Sequence, residues 1–177
     1  KLSTYGFLLP NKGFMELIEA VSMLKDMKFD VSLTMVTSKY FENDNSLLNQ
    51  IQDRINKLDL NNLITIHSDY KSDEDSLKLL SNSDLIVLPY QNTNESSSAS
   101  VRHAIASGTP VAVTPQKIFD DVSPVIFTLP GFTPQLITEG ILKYLNSINR
   151  QNSSSNIEEL KKGWISQHSF MRLSRRI

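Results

Sequence analysis

The chain has 177 residues, of which 40% are hydrophobic and 21% are charged, a balance that is ordinary for one globular domain. Its 18 basic and 19 acidic residues leave a formal net charge of −1, which excludes a strongly basic surface for nucleic acid or an anionic membrane. Cysteine is absent, which excludes disulfides, zinc–thiolate sites and a cysteine nucleophile. No apolar run is long enough for a transmembrane helix, and we expect no signal peptide.

Short apolar runs alternate with helical patterns along most of the chain. Strands are predicted at residues 3–9, 31–37, 63–67, 84–88, 110–114 and 124–129. Helices are predicted at residues 12–28, 46–58, 97–107 and 133–145, and after a capping box formed by Ser72 and Asp75. This alternation predicts an α/β fold with a doubly wound, mostly parallel six-stranded sheet.

A common arrangement of six such strands is the Rossmann order 3-2-1-4-5-6, which we adopt from the fold class. Ligands then bind beyond the carboxyl ends of strands one and four, which here are the loops 10–13 and 89–97. We assign this Rossmann-like domain to residues 1–150. Residues 151–177 are predicted to be a polar linker followed by a helix with a basic end.

The first loop carries Lys12, but it matches neither a dinucleotide fingerprint nor a Walker A loop. Asn11 is a plausible N-cap, which would place Lys12 in the first turn of the following helix. Two interpretations stay open at this point. Lys12 is either a solvated lysine that tolerates the helix dipole, or it binds an anion together with the helix N-terminus.

The second loop is rich in hydroxyl and amide groups and contains one carboxylate, Glu95. A carboxylate accepts two hydrogen bonds from vicinal hydroxyls, and the N–H groups of Ser96, Ser97 and Ser98 could face an anion. The alternative is purely structural, with Glu95 favouring the helix N-terminus and the serines capping it.

Residues 104–111 read Ala-Ile-Ala-Ser-Gly-Thr-Pro-Val, and Glu95 lies nine residues before Ala104. This segment resembles the signature of family-4, GT-B glycosyltransferases, in which two glutamates precede a pattern like Ala-Met-Ala-x-Gly-x-Pro-Val. Lys12 and Gly13 are similar to the family's diphosphate-binding loop. The resemblance covers about residues 3–150, and the segment 164–176 is similar to the closing helix of such enzymes.

The resemblance implies the C-terminal, donor-binding half of a GT-B enzyme. Lys12 would neutralise the diphosphate of a nucleotide sugar, Glu95 would hold hydroxyls of the transferred sugar, and Ser96–Ser98 would cradle phosphate or sugar. Lys12 and Glu95 are therefore the expected catalytic residues. The other expected donor contacts are Gly6, Thr37, Ser38, Tyr70, Arg102 and His103.

Two positions depart from the family pattern. Phe7 stands where the family has an arginine that grips the diphosphate, and His103 stands where it has the second glutamate. One hypothesis is a donor that lacks the 2′-hydroxyl, and the other is a degenerate site. Arg102 either restores positive charge near Ser98 or is an ordinary surface arginine.

We therefore predict a glycosyltransferase of the retaining type, without a covalent nucleophile, that acts in glycan biosynthesis. The expected donor is a nucleotide-diphosphate sugar, with no other cofactor and no metal, since His67 and His168 lack ligand spacing. The expected partner is an N-terminal acceptor-binding domain of the same full-length chain. We expect the protein in the cytoplasm, and we expect any association with the membrane to be made only through that N-terminal domain. The alternatives are a GT-B-like assembly module without turnover and an unrelated nucleotide binder. The acidic pair Asp120 and Asp121 is expected in a solvated loop.

Overall fold

The fold was analysed in a computed structural model that describes residues 1–40, 45–93, 95 and 97–150, with only the backbone for 148–150. Ser96 and the linker and helix predicted for residues 151–177 lie outside these ranges. The strands are β1 Leu2–Phe7, β2 Leu33–Ser38, β3 Ile64–His67, β4 Leu85–Leu88, β5 Val111–Val113 and β6 Phe127–Thr128. The helices are α1 Phe14–Asp26, α2 Ser46–Lys57, α3 Asp73–Ser81, α4 Ala99–Ala106 and α5 Pro134–Arg150.

The six strands form one parallel sheet in the order β3-β2-β1-β4-β5-β6, which confirms the predicted fold class and strand order. The chain leaves β1 toward β2 on one side and returns to β4 on the other, so β1 and β4 flank the point where the strand order reverses. Ligands bind at this point in open α/β sheets.

Each face of the sheet carries its own hydrophobic core. Helices α1, α2 and α5 cover one face, and α3, α4 and the 3-10 segment Lys117–Val125 cover the other. Strand β4 illustrates the division, because Leu85 and Val87 join the first core whereas Ile86 and Leu88 join the second. A strand buried on both faces has no polar alternation, which explains the uninterrupted apolar run read from the sequence.

Several predicted boundaries were wrong; the helix predicted at 133–145, for example, extends to Arg150. The predicted strand at 124–129 contains only Phe127–Thr128 as strand. Pro124 lies in the 3-10 segment instead, because proline has no N–H for a strand ladder and the segment buries Phe119 and Val122. The first helix begins at Phe14 rather than at Lys12.

The capping box was predicted correctly. The hydroxyl of Ser72 accepts a hydrogen bond from the backbone N–H of Asp75 at 3.1 Å, and Ser72 is the N-cap of α3. Within the described ranges no helix is long and apolar enough to cross a bilayer.

Candidate functional site

The loop after β1 is shaped by a glycine. Pro10–Lys12 form one 3-10 turn, and Gly13 follows with a φ of 73° before α1 begins. A Cβ on Gly13 would lie 1.9 Å from the carbonyl oxygen of Pro89, so the two loops approach more closely than any side chain allows. Asn11 therefore does not cap α1, and Lys12 lies outside its first turn, contrary to the sequence prediction. The left-handed turn at Gly13 separates the two segments.

The loops after β1 and β4 are joined through their backbones and through an ion pair. The N–H of Gln91 donates to the carbonyl of Asn11 at 2.8 Å. The ammonium of Lys12 lies 3.2 Å from Oε2 of Glu95 and 3.4 Å from Oε1. The structure thus brings together the two residues that the sequence analysis proposed as catalytic.

Lys12 is a buried cation. Its side chain is only 7% exposed, whereas that of Glu95 is 41% exposed. The ammonium also lies over the ring of Tyr90, 3.9 Å from the centroid, and Tyr90 is itself buried. A charge held away from water needs partners, and here the aromatic face and one carboxylate supply them.

A cavity of about 240 Å³ opens at the same edge of the sheet, and its lining includes neither Lys12 nor Glu95. It lies where the carboxyl ends of β1 and β2 face the N-terminal ends of α3 and α4. Its lining residues are Tyr5, Gly6, Phe7, Val36, Thr37, Ser38, Tyr70, Lys71, Asp73, Ala99, Ser100 and His103. Five of the predicted donor contacts therefore line one cavity, namely Gly6, Thr37, Ser38, Tyr70 and His103.

Gly6 allows the cavity to form between strand and helix. Its φ is 135°, and an added Cβ would lie 3.0 Å from the hydroxyl of Ser100 at the start of α4. The neighbouring Thr37 donates its hydroxyl to the carbonyl of His67 at 3.0 Å, which fixes the end of β2 against β3. The backbone at the ends of β1 and β2 is therefore held close to the cavity.

His103 forms one wall of the cavity. Its ring stacks on Tyr5 with the centroids 4.5 Å apart and the planes inclined by 15°. Nε2 lies 2.8 Å from the hydroxyl of Ser76 in α3. Burial lowers the pKa of His103 below the ordinary histidine value, partly opposed by the carboxylate of Asp73, and burial raises the pKa of Tyr5.

The remaining predicted contacts are placed differently. Ser98 is the buried N-cap of α4, accepts from the N–H of Val101 at 3.3 Å and contacts the hydroxyl of Tyr90 at 3.1 Å. Ser97 is exposed, and Ser96 lies outside the described residues. These facts suit the capping interpretation of the serines as well as the binding one.

Arg102 does not line the cavity. Its guanidinium donates to the carbonyl of Ser98 at 2.8 Å and pairs with Asp121. Asp120 and Asp121 are exposed between β5 and β6, as expected, but they lie in the 3-10 segment rather than in an irregular loop, and Asp121 links this segment to α4 through the ion pair.

The sequence analysis missed several residues of this site, among them Tyr5, Ser76, Tyr90 and Asp73. Only Tyr90 had a sequence signal, since it directly follows the apolar run of β4. Tyr5, Ser76 and Asp73 meet at the site because β1 packs against helices α3 and α4. Within the described ranges, no group of three or more His, Asp or Glu side chains could hold a metal ion.

A sequence profile of the family "Glycosyl transferases group 1" matches residues 1–159. The chain belongs to this family. Among curated proteins, no sequence matches the chain. The predicted relationship to the C-terminal half of GT-B glycosyltransferases is confirmed by the family match and the fold.

Solved structures of group 1 and related glycosyltransferases have the same fold. A glycosyltransferase from Rickettsia africae is 19% identical with a TM-score of 0.74, over 92% of this chain and 41% of that one. Anabaena HepE in complex with UDP is 16% identical with a TM-score of 0.75, over 94% of this chain and 43% of that one. The C-terminal domain of the group 1 protein LpcC from Francisella tularensis is 16% identical with a TM-score of 0.72, over 92% and 84%. The chain thus spans less than half of the two longer proteins.

Proposed function

We propose that this group 1 family member is the donor-binding domain of a retaining glycosyltransferase. The full enzyme would move a sugar from a nucleotide-diphosphate sugar to a glycan or a glycosylated acceptor. The observation that carries the proposal is the buried Lys12, whose ammonium is paired with Glu95 at the switch point of the sheet, the same edge at which the cavity opens. That Anabaena HepE was solved in complex with UDP supports a nucleotide as the ligand.

The geometry suggests a division of labour between the ion pair and the cavity. The ammonium of Lys12 would neutralise the diphosphate as the bond to the sugar breaks, which stabilises the leaving group electrostatically. Glu95, whose side chain is half-exposed, would accept hydrogen bonds from the transferred sugar. The cavity would receive the nucleoside, with Tyr70 at its rim.

The proposed enzyme needs a second domain to bind the acceptor. This chain covers 41% of the Rickettsia africae glycosyltransferase and 43% of Anabaena HepE, which is consistent with a missing half. We therefore propose an N-terminal acceptor-binding domain as its partner, and cytoplasmic chemistry with membrane contact only through that domain.

The proposal is tested by titrating the chain with UDP, GDP and ADP and with their sugar conjugates in a calorimeter. We expect one nucleotide series to bind, and Lys12→Met to weaken that binding by about 10-fold or more, because a charge-assisted contact to phosphate is lost. Methionine is unbranched and of similar length, so it fills most of the buried volume of the Lys12 side chain and removes the charge.

The matched control is Lys25→Met, which removes a lysine that lies in the last turn of α1 and pairs with Asp59. This control should bind as the unmodified chain does. Equal affinity of the unmodified chain and Lys12→Met for every nucleotide would overturn the proposal.

A second candidate is a GT-B-like binding or assembly module that has lost turnover. It is favoured by Phe7, which is 44% exposed and lines the cavity with an aromatic ring where the family has a phosphate-binding arginine. The full-length protein decides between the two: nucleotide binding without hydrolysis or transfer of the sugar favours the module.

A further inference from the structure

Tyr90 lies at the start of the loop that carries Glu95, and its ring is buried under the ammonium of Lys12. Within the described ranges, the carboxylate of Glu95 and this ring are the partners of the ammonium. The side chain of Glu95 is half-exposed, whereas Tyr90 is buried together with the lysine. Tyr90 is therefore the partner that stays in contact with Lys12 when a ligand takes the place of Glu95.

The two partners act on the lysine in different ways. A carboxylate cancels the charge of an ammonium, whereas an aromatic face attracts the cation through its quadrupole and carries no net charge. The ring can therefore hold the ammonium in one place and leave its charge available to a phosphate. An ammonium that is held in place before binding loses little side-chain freedom when the ligand arrives, and this favours affinity.

Tyr90 is itself held by contacts with three parts of the fold. Its hydroxyl lies 3.1 Å from that of Ser98, the N-cap of α4. Its backbone carbonyl accepts a hydrogen bond from the hydroxyl of Thr114, directly after β5, at 2.5 Å. Its ring packs edge-on against that of Phe119 in the 3-10 segment, with the centroids 5.1 Å apart. One side chain therefore fixes the position of Lys12 relative to the N-terminus of α4.

We propose that Tyr90 is a positioning residue, which holds the ammonium of Lys12 at a fixed point relative to the N-terminus of α4 without neutralising it. The proposal rests on the proposed function, since its consequence concerns the diphosphate of the ligand. Tyr90 acts through Lys12 and needs no contact with the ligand. Loss of its ring should therefore weaken the binding of a nucleoside diphosphate and leave the binding of the nucleoside alone unchanged.

The first measurement is the NMR spectrum of the lysine side chains in the chain without ligand. Protons above the face of an aromatic ring resonate upfield, so the ε-methylene protons of Lys12, next to the ammonium, should lie upfield of those of the other lysines. The variant Lys12→Met assigns the signal. The upfield shift should persist in Tyr90→Phe, which keeps the ring, and disappear in Tyr90→Leu. An ordinary lysine shift for Lys12 in the unmodified chain would overturn the inference.

The second measurement is a double-mutant cycle of Tyr90→Leu and Lys12→Met, titrated with the tightest binder among UDP, GDP and ADP and with the corresponding nucleoside. In the presence of Lys12, Tyr90→Leu should weaken diphosphate binding by about 5- to 20-fold, as expected for a buried cation–π contact. In the Lys12→Met background the same change should cost less than about twofold, and Tyr90→Phe should stay within about threefold of the unmodified chain. Equal losses from Tyr90→Leu in both backgrounds would contradict a role exerted through Lys12.

Val125→Ala is the matched control, because Val125 is buried in the same core as Tyr90 and lies at the opposite edge of the sheet, before β6. It should lower the melting temperature and leave diphosphate affinity within about twofold of the unmodified chain. A loss of affinity as large as that of Tyr90→Leu would count against the inference. If Tyr90→Leu does not fold, Tyr90→Met, with its adaptable side chain, replaces it in the cycle. If none of the three diphosphates binds the unmodified chain, the proposed function fails; if one binds and the cycle shows no coupling, only this inference fails.

Discussion

At the scale of single residues, the pair of Lys12 and Glu95 is asymmetric. The lysine side chain is 7% exposed and the glutamate side chain is 41% exposed. Glu95 can exchange its contact for water at small cost, whereas the ammonium of Lys12 cannot reach water without leaving the Tyr90 ring. An incoming phosphate can therefore replace Glu95 as the anion beside Lys12, and the released carboxylate becomes available to other parts of the ligand.

This asymmetry predicts opposite effects of Glu95→Gln on two ligands. Affinity for the nucleoside diphosphate should stay equal or rise up to several-fold, because the amide competes less for Lys12. The added affinity for the sugar part of the nucleotide sugar should fall by about 5- to 10-fold, because an amide oxygen accepts sugar hydroxyls less strongly than a carboxylate.

Calorimetry of Glu95→Gln with both ligands measures the two changes in one variant. The adjacent Thr93→Val, which removes the hydroxyl that accepts from the N–H of Glu95 at 3.2 Å, controls for a general loosening of the loop. A parallel loss for both ligands in Glu95→Gln would contradict the exchange of anions.

The sequence placed Lys12 and Glu95 in the loops that follow predicted strands at the switch point, and the resemblance to GT-B glycosyltransferases then implied their roles. It could not indicate the group formed by Tyr5, Ser76 and His103. Their meeting depends on which residue of β1 lies opposite α3 and α4, and a sequence pattern does not specify that register. Asn11 was wrongly predicted as the N-cap of α1. Its residue type suits a cap, but the left-handed turn at Gly13 separates it from the start of the helix.

At the scale of elements, the site depends on two tight approaches of backbone. Gly13 brings the loop after β1 against the carbonyl of Pro89, and Gly6 brings the end of β1 against Ser100. Both glycines have positive φ. The elements that carry Lys12 and Glu95 can meet only because these positions have no Cβ.

Gly13→Ala should therefore lower the free energy of unfolding by about 2–4 kcal/mol, combining the cost of positive φ with the displacement of one loop. Gly108→Ala is the matched control, because Gly108 has a φ of 82° and nothing lies within 4 Å of the added Cβ. The control should cost about 1–2 kcal/mol.

Urea denaturation of the two variants and the unmodified chain measures the difference. Nucleotide affinity should fall for Gly13→Ala and stay unchanged for Gly108→Ala. Equal losses of stability would mean that the approach to Pro89 relaxes without cost.

Long periodic elements were predictable from the sequence, and the short one at the sheet edge was not. The apolar spacing of α1 and the capping box of α3 gave the helices, since side-chain period and cap residues are local signals. The segment 124–129 has strand-like residues, but its first two residues belong to the 3-10 segment Lys117–Val125, which buries Phe119 and Val122. That preference is set by tertiary packing, which a local pattern does not contain.

At the scale of the whole molecule, two cores share one sheet. Right-handed crossovers and the alternation of strands with helices leave few possible topologies, which is why the strand order was predictable from class alone. The first core reaches from β1 to α5, where Tyr144 packs its ring 5.5 Å from that of Phe127. The hydroxyl of Thr138 donates to the carbonyl of Pro134 within α5, and it also lies 3.4 Å from the carbonyl of Ala20, which links α5 to α1.

Global unfolding should therefore be linked to the titration of Tyr144. Burial raises the pKa of Tyr144 to about 12, above the value of about 10 expected in the unfolded chain. The folded state thus retains a proton that the unfolded state loses, so this contribution to stability is present below pH 10 and disappears as the pH rises toward 12. Tyr144→Phe keeps the ring in the core and removes the titrating group. Between pH 9 and pH 11.5 the unmodified chain should lose about 2 kcal/mol more unfolding free energy than Tyr144→Phe.

Urea unfolding of both proteins at the two pH values measures this difference. The other tyrosines are present in both proteins, so their contributions cancel when the two losses of unfolding free energy are subtracted. Tyr40→Phe, at a ring that is 57% exposed, is the matched control and should lose as much stability as the unmodified chain. If Tyr144→Phe loses stability in parallel with the unmodified chain, the phenol of Tyr144 reaches water in the folded protein and α5 does not seal the core at that point.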